Sequence, residues 1–68
     1  MKTRDGYEAV KGMKLERYDD RDNVIQITDF FCGDVEYDTL QWNVNKEDFE
    51  IIGHGHMAES ELDKWIYE

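Results

Sequence analysis

The sequence predicts an α+β domain: a small antiparallel β-meander whose apolar face is covered by a C-terminal helix. Three observations lead there. Segments 13–18, 24–31, 35–37 and 40–44 carry strand periodicity or strand composition. Ala58, Leu62, Trp65 and Ile66 fall at i, i+4, i+7 and i+8, one helical stripe. The 68 residues allow one domain.

Taken in order, residues 1–12 hold few apolar anchors and two glycines, and they read as a lead-in arm. Met13 and Leu15 share one face of a short strand, and Asp19–Asn23 form a polar turn cluster. Residues 24–31 (Val-Ile-Gln-Ile-Thr-Asp-Phe-Phe) are the strongest strand by β-branched and aromatic content. Gly33 and Asp34 make the next turn. Residues 35–37 and 40–44 are two further strands, linked at Asp38–Thr39, which completes a meander over 13–44. Asn45 is placed as a helix N-cap with Asp48 three residues on, so 45–53 reads as a short helix burying Phe49 and Ile52 and closed at Gly53. His54-Gly55-His56 is a loop. Residues 57–68 form the C-terminal helix, with Glu59, Glu61 and Asp63 near its positive end. Strand spacing over 13–52 resembles that of small SH3-like partial barrels, which implies a curved sheet able to bind a peptide or protein.

The composition bounds the function. The formal net charge is −9. Residues 1–23 balance six bases against six acids, whereas residues 24–68 set Lys46 and Lys64 against eleven carboxylates. The whole net charge therefore lies in the last two-thirds. Such a field repels nucleic acid and anionic membrane and attracts basic surfaces. No apolar run approaches the roughly 20 residues of a membrane span. The single cysteine, Cys32, excludes an internal disulfide and points to a reducing cytoplasm. The aromatic fraction of 13% favours a folded chain over an acidic tail. A core of this size supplies roughly 3–5 kcal/mol of net stability, so a metal or a partner would add to it.

Four sets of residues could carry function. Asp29, Asp34, Glu36 and Asp38 crowd one stretch, and on a strand such a row sets charges about 6.6–7 Å apart. That spacing is close to the separation of phosphates along one nucleic-acid strand. The alternative is a solvated face that protects a sheet edge. Glu47, Asp48 and Glu50 form a second acidic group. Phe31 and Tyr67 are candidate exposed anchors for a partner, because adjacent Phe30 and Phe31 must point to opposite faces. Cys32, His54 and His56 could hold zinc, with Asp34 or Asp29 as a further ligand, since residues i and i+2 of an extended segment point to one side. Gly55 would keep the metal approach open. Against this, a lone cysteine is usually a small buried hydrophobe. Trp42 and Trp65 read as core.

Catalysis is not expected. No nucleophile sits beside a histidine, Gly53-His54-Gly55-His56 lacks the lysine of a phosphate loop, and a cleft of ~300 Å³ is hard to build at this size. In size and charge the chain resembles type II anti-CRISPR proteins. That resemblance implies a phage-encoded cytoplasmic inhibitor that occupies a basic nucleic-acid-binding surface, such as that of a CRISPR nuclease, through the carboxylates of 29–38 and 47–50. It implies no direct contact with nucleic acid. The other readings are a small zinc-binding structural protein, or an adaptor that binds through an SH3-like sheet.

Overall fold

Residues 2–67 are described by a computed structural model. Met1 and Glu68, the last of the eleven carboxylates, lie outside the described residues. The described residues are mostly β. One antiparallel sheet contains β1 (Lys14–Arg17), β2 (Asp20–Phe31), β3 (Asp34–Asn43), β4 (Asp48–Ala58) and β5 (Trp65–Tyr67), in the order β4-β3-β2-β1-β5. The only helical segment among the described residues is a 3₁₀ turn, Glu59–Lys64. The α+β reading with a C-terminal helix is therefore overturned.

The helix over 57–68 fails for a physical reason. An isolated segment of about ten residues is marginal as a helix, whereas β1 offers an open edge. Residues 65–67 take that edge, pairing Arg17 with Trp65 and Leu15 with Tyr67. The stripe of Ala58, Leu62, Trp65 and Ile66 is split accordingly. Leu62 is buried from the 3₁₀ turn and Trp65 from the strand, while Ile66 points to the opposite side.

The short helix over 45–53 is replaced by β4. Asn45 caps nothing. Instead the Asn43 side-chain oxygen accepts the backbone N–H groups of Asn45 and Lys46, at 3.0 and 3.3 Å. That turn, with Glu47 at φ 52, returns the chain antiparallel to β3. Phe49 and Ile51 then alternate as strand residues opposite Trp42 and Leu40. His54-Gly55-His56 is also strand rather than loop.

The break expected at Asp38–Thr39 is absent. Asp38 pairs with Gln26 on one side and His54 on the other, so β3 is continuous. The acidic cluster after Arg17 is likewise mostly strand. Only Tyr18 and Asp19 turn, with Asp19 braced by the Arg17 guanidinium at 2.8 Å. The β2–β3 turn is Cys32-Gly33, both left-handed (φ 49 and 81), the backbone of a type I′ hairpin. Gly33 adopts that conformation freely; Cys32 does so at a steric cost.

Leu15, Ile25, Ile27, Val35 and Leu62 are fully buried, with Trp65, Ala9 and Met13 around them. The arm is part of this structure. Ala9 and Met13 enter the core, the Arg4 N–H donates to the Trp65 carbonyl at 2.8 Å, and the Tyr67 N–H donates to the Asp5 carboxylate at 3.2 Å. Residues 3–7 thus cover the outer edge of β5. Truncating a buried Trp costs about 3–5 kcal/mol, close to the whole margin of so small a core. Trp65→Ala should therefore abolish the cooperative thermal transition at 25 °C and above; a midpoint that barely moves would place Trp65 outside the core.

Candidate docking face of the sheet

Strand alternation sorts the side chains of β2, β3 and β4 onto two faces. Ile25, Ile27, Val35 and Tyr37 face the core. Val24, Gln26, Asp34, Glu36, Asp38, Leu40 and Trp42 face the other way, joined from β4 by Phe49, Ile51, His54 and His56. Two bulges keep this sorting intact over long strands. Thr28 is the extra residue of β2 and Ile52 that of β4.

The second face is ordered along the β3–β4 ribbon. At one end Asp34, Glu36 and Asp38 stand in a row. In the middle lie Leu40, Trp42, Phe49 and Ile51. At the other end is the turn with Glu47, while Asp48, opposite Asn43, points to the core side. Val24 and Leu40 form its buried floor, at 6% and 5% exposure, while Trp42 is 51% and Ile51 57% exposed. The Trp42 and Phe49 rings meet edge to face with centroids 5.1 Å apart. An open groove of about 510 Å³ runs beside them, lined also by Glu16, Arg21 and Asp22. It exceeds the cleft expected of so short a chain.

The proposed acids differ in what they touch. Asp29 is engaged by Lys11 at 3.1 Å. The Phe30 N–H and then the Lys11 ammonium hold its carboxyl below the usual range. Glu50 lies on the core side of the ribbon, near Lys46, and accepts from the Asn43 amide at 3.2 Å, so it serves the β3–β4 turn. Asp48 accepts the Phe49 N–H. Asp34, Glu36 and Glu47 have no cationic partner among the described residues. Asp38 meets His54 Nδ1 at 2.5 Å. Phe31, 69% exposed, stands opposite Asp34 at the same end, with Phe30 packed against the core. Tyr67 is separate: it packs edge to face on Tyr7, 5.0 Å away, beside the arm.

The histidines do share one side of β4, each opposite a carboxylate: His54 faces Asp38 and His56 faces Glu36. Cys32 is exposed at the tip of the β2–β3 turn. The set Cys32, His54, His56 and Asp34 is not gathered, and no group of three or more potential ligands is arranged for a metal among the described residues. Gly55 has a packing role instead. A Cβ there would lie 2.7–3.0 Å from the Tyr37 ring and hydroxyl, which cross over it on the core face.

Trp42 and Phe49 are the residues that the sequence reading sent to the core. The signal was present in the matched alternations Leu40-x-Trp42 and Phe49-x-Ile51 on either side of the Asn43–Asp48 turn. Comparisons with protein families, curated proteins and solved structures give no match to this chain.

Two measurements follow from this geometry. Gly55→Ala should destabilise the protein by about 1–3 kcal/mol through overpacking against Tyr37, and Tyr37→Phe in the same chain should restore part of the loss; an unchanged denaturation midpoint for Gly55→Ala would remove the Tyr37 contact. Lys11→Met should raise the Asp29 pKa in a carboxyl NMR titration while leaving it below that of a free Asp, because the Phe30 N–H remains. The sign is that of a depressed carboxyl: its stabilisation is full above the unfolded pKa and is lost as pH falls through the folded one. The variant should therefore lose stability relative to the parent at neutral pH, and the difference should vanish in acid.

Proposed function

We propose that this protein docks through the second face of its sheet onto a basic, nucleic-acid-binding surface of another protein and blocks it. The reading is carried by one observation: Asp34, Glu36 and Asp38 stand in line on one face of β3. Two of these three carboxylates have no cation of their own among the described residues. At strand spacing the charges repeat every 6.6–7 Å or so, which suits cations placed to receive successive phosphates. The net charge of −9 adds long-range attraction. The aromatic middle of the ribbon offers the apolar centre that stable interfaces need inside a charged rim.

A CRISPR nuclease, the partner implied by the likeness in size and charge to type II anti-CRISPR proteins, presents a basic channel of this kind. Such an inhibitor would act in the cytoplasm. No helix among the described residues is long and apolar enough to cross a membrane.

The test is capture from nuclease-treated bacterial lysate on the immobilised protein, followed by competition. A partner that is basic and is displaced by its own nucleic acid supports the reading; one that binds nucleic acid and this protein together refutes it. Association should slow roughly tenfold between about 50 and 500 mM salt, as the Debye length falls from roughly 14 to 4 Å. The triple variant Asp34→Asn/Glu36→Gln/Asp38→Asn should lower the association rate at low salt and flatten its salt dependence. A salt-independent rate in the parent would count against phosphate-like recognition.

A further inference from the structure

We propose that Trp42 is the receptor for an arginine of the docked partner, so that the surface prefers arginine-bearing segments over equally charged lysine ones. The inference rests on the docking reading above and names the group at its centre. It starts from how this chain treats its own rings. Arg4 lies 3.9 Å from the Tyr18 ring centroid, Lys14 5.3 Å from that of Phe49, and Arg17 5.9 Å from that of Trp65. Trp42 is half exposed, yet no cation of the described residues lies over it.

Tryptophan is the strongest cation-binding ring among the side chains. The indole packs against the Phe49 ring, with the two planes 79° apart. Val24, buried on this face as Leu40 is, lines the adjoining groove together with Glu16 and Asp22. The groove already holds one guanidinium of this chain: Arg21 meets Glu16 at 3.5 Å while remaining 71% exposed. A guanidinium is planar, stacks on an indole and keeps its N–H fork free for carboxylates; an ammonium is a hydrated point charge. Along the ribbon, Asp38 lies toward one end of this face and the turn with Glu47 toward the other. A partner arginine seated on the ring would have ion-pair acceptors in either direction.

The probes are nona-arginine and nona-lysine peptides, titrated into the ¹⁵N-labelled protein at 50 mM salt. The two indole N–H signals belong to Trp42 and Trp65, and Trp42→Leu assigns them. Nona-arginine should shift the Trp42 signal and leave that of Trp65 in place. It should bind about two- to fivefold more tightly than nona-lysine, the size of an exposed cation–π contact. In Trp42→Leu the two peptides should bind equally, with salt dependence retained. Equal affinities in the parent, or an unmoved Trp42 signal during saturable binding, would overturn the arginine preference and leave the electrostatic docking reading standing. Failure of both peptides to bind would overturn both. If Trp42→Leu does not fold, nuclear Overhauser contacts to the Phe49 ring assign the Trp42 signal in the parent, and its shift decides.

Discussion

The pairing of β5 with β1 is the constraint on which the rest depends. β1 is four residues long and lies between β2 and β5. Its one inward residue, Leu15, is fully buried because β5 brings Trp65 and the 3₁₀ turn brings Leu62 over it. The arm depends on the same strand, since its backbone is anchored to Trp65 and Tyr67. A contact between residues 15 and 67 is nearly as long-range as this chain permits. Chain entropy opposes it, and the apolar burial it completes offsets that cost. The longer strands β2, β3 and β4 then need only one face covered.

That leaves β3 and β4 with a free face, and the sequence uses it in an unusual way. Three of its carboxylates stand on one strand, two imidazoles stand opposite two of them, and an aromatic pair lies beyond. The edge of β4 is guarded by Asp48, Glu50 and the bulge at Ile52, features that discourage unwanted strand pairing. The open surface thus presents side chains on its face rather than unpaired backbone at its edge.

Much of the sheet could be read from the chain, and the missing parts have definable causes. Leu15, Ile25, Ile27 and Val35 are plain in their alternation, and the exposure of one of Phe30 and Phe31 follows from their adjacency. The row Asp34, Glu36 and Asp38 follows from period two alone. The errors came from local signals that tertiary pairing overrode. Asn45 and Asp48 looked like a helix start because Asn and Asp serve helix caps and hairpin turns by the same side-chain-to-backbone bonds. Ala58, Leu62, Trp65 and Ile66 matched a helical period because a 3₁₀ turn followed by a strand can mimic it over so few residues. His54 and His56 share a side of β4, as the period of an extended segment predicts, and Cys32 stands at the turn after β2; that Gly55 makes room for Tyr37 depends on cross-strand packing, which spacing alone does not carry.

One strand carries two texts. Along β3, Val35 and Tyr37 are read by the core, while Glu36, Asp38 and Trp42 are read by solvent. Neighbouring codons therefore answer to different selection. A variant library scored for folding should tolerate positions 34, 36, 38 and 42 far better than Val35, Tyr37 and the buried Leu40, and the exposed side chains of that face can diverge quickly while the fold stands still. In a contest with a changing partner, the chain could renew its face residue by residue without renegotiating its core.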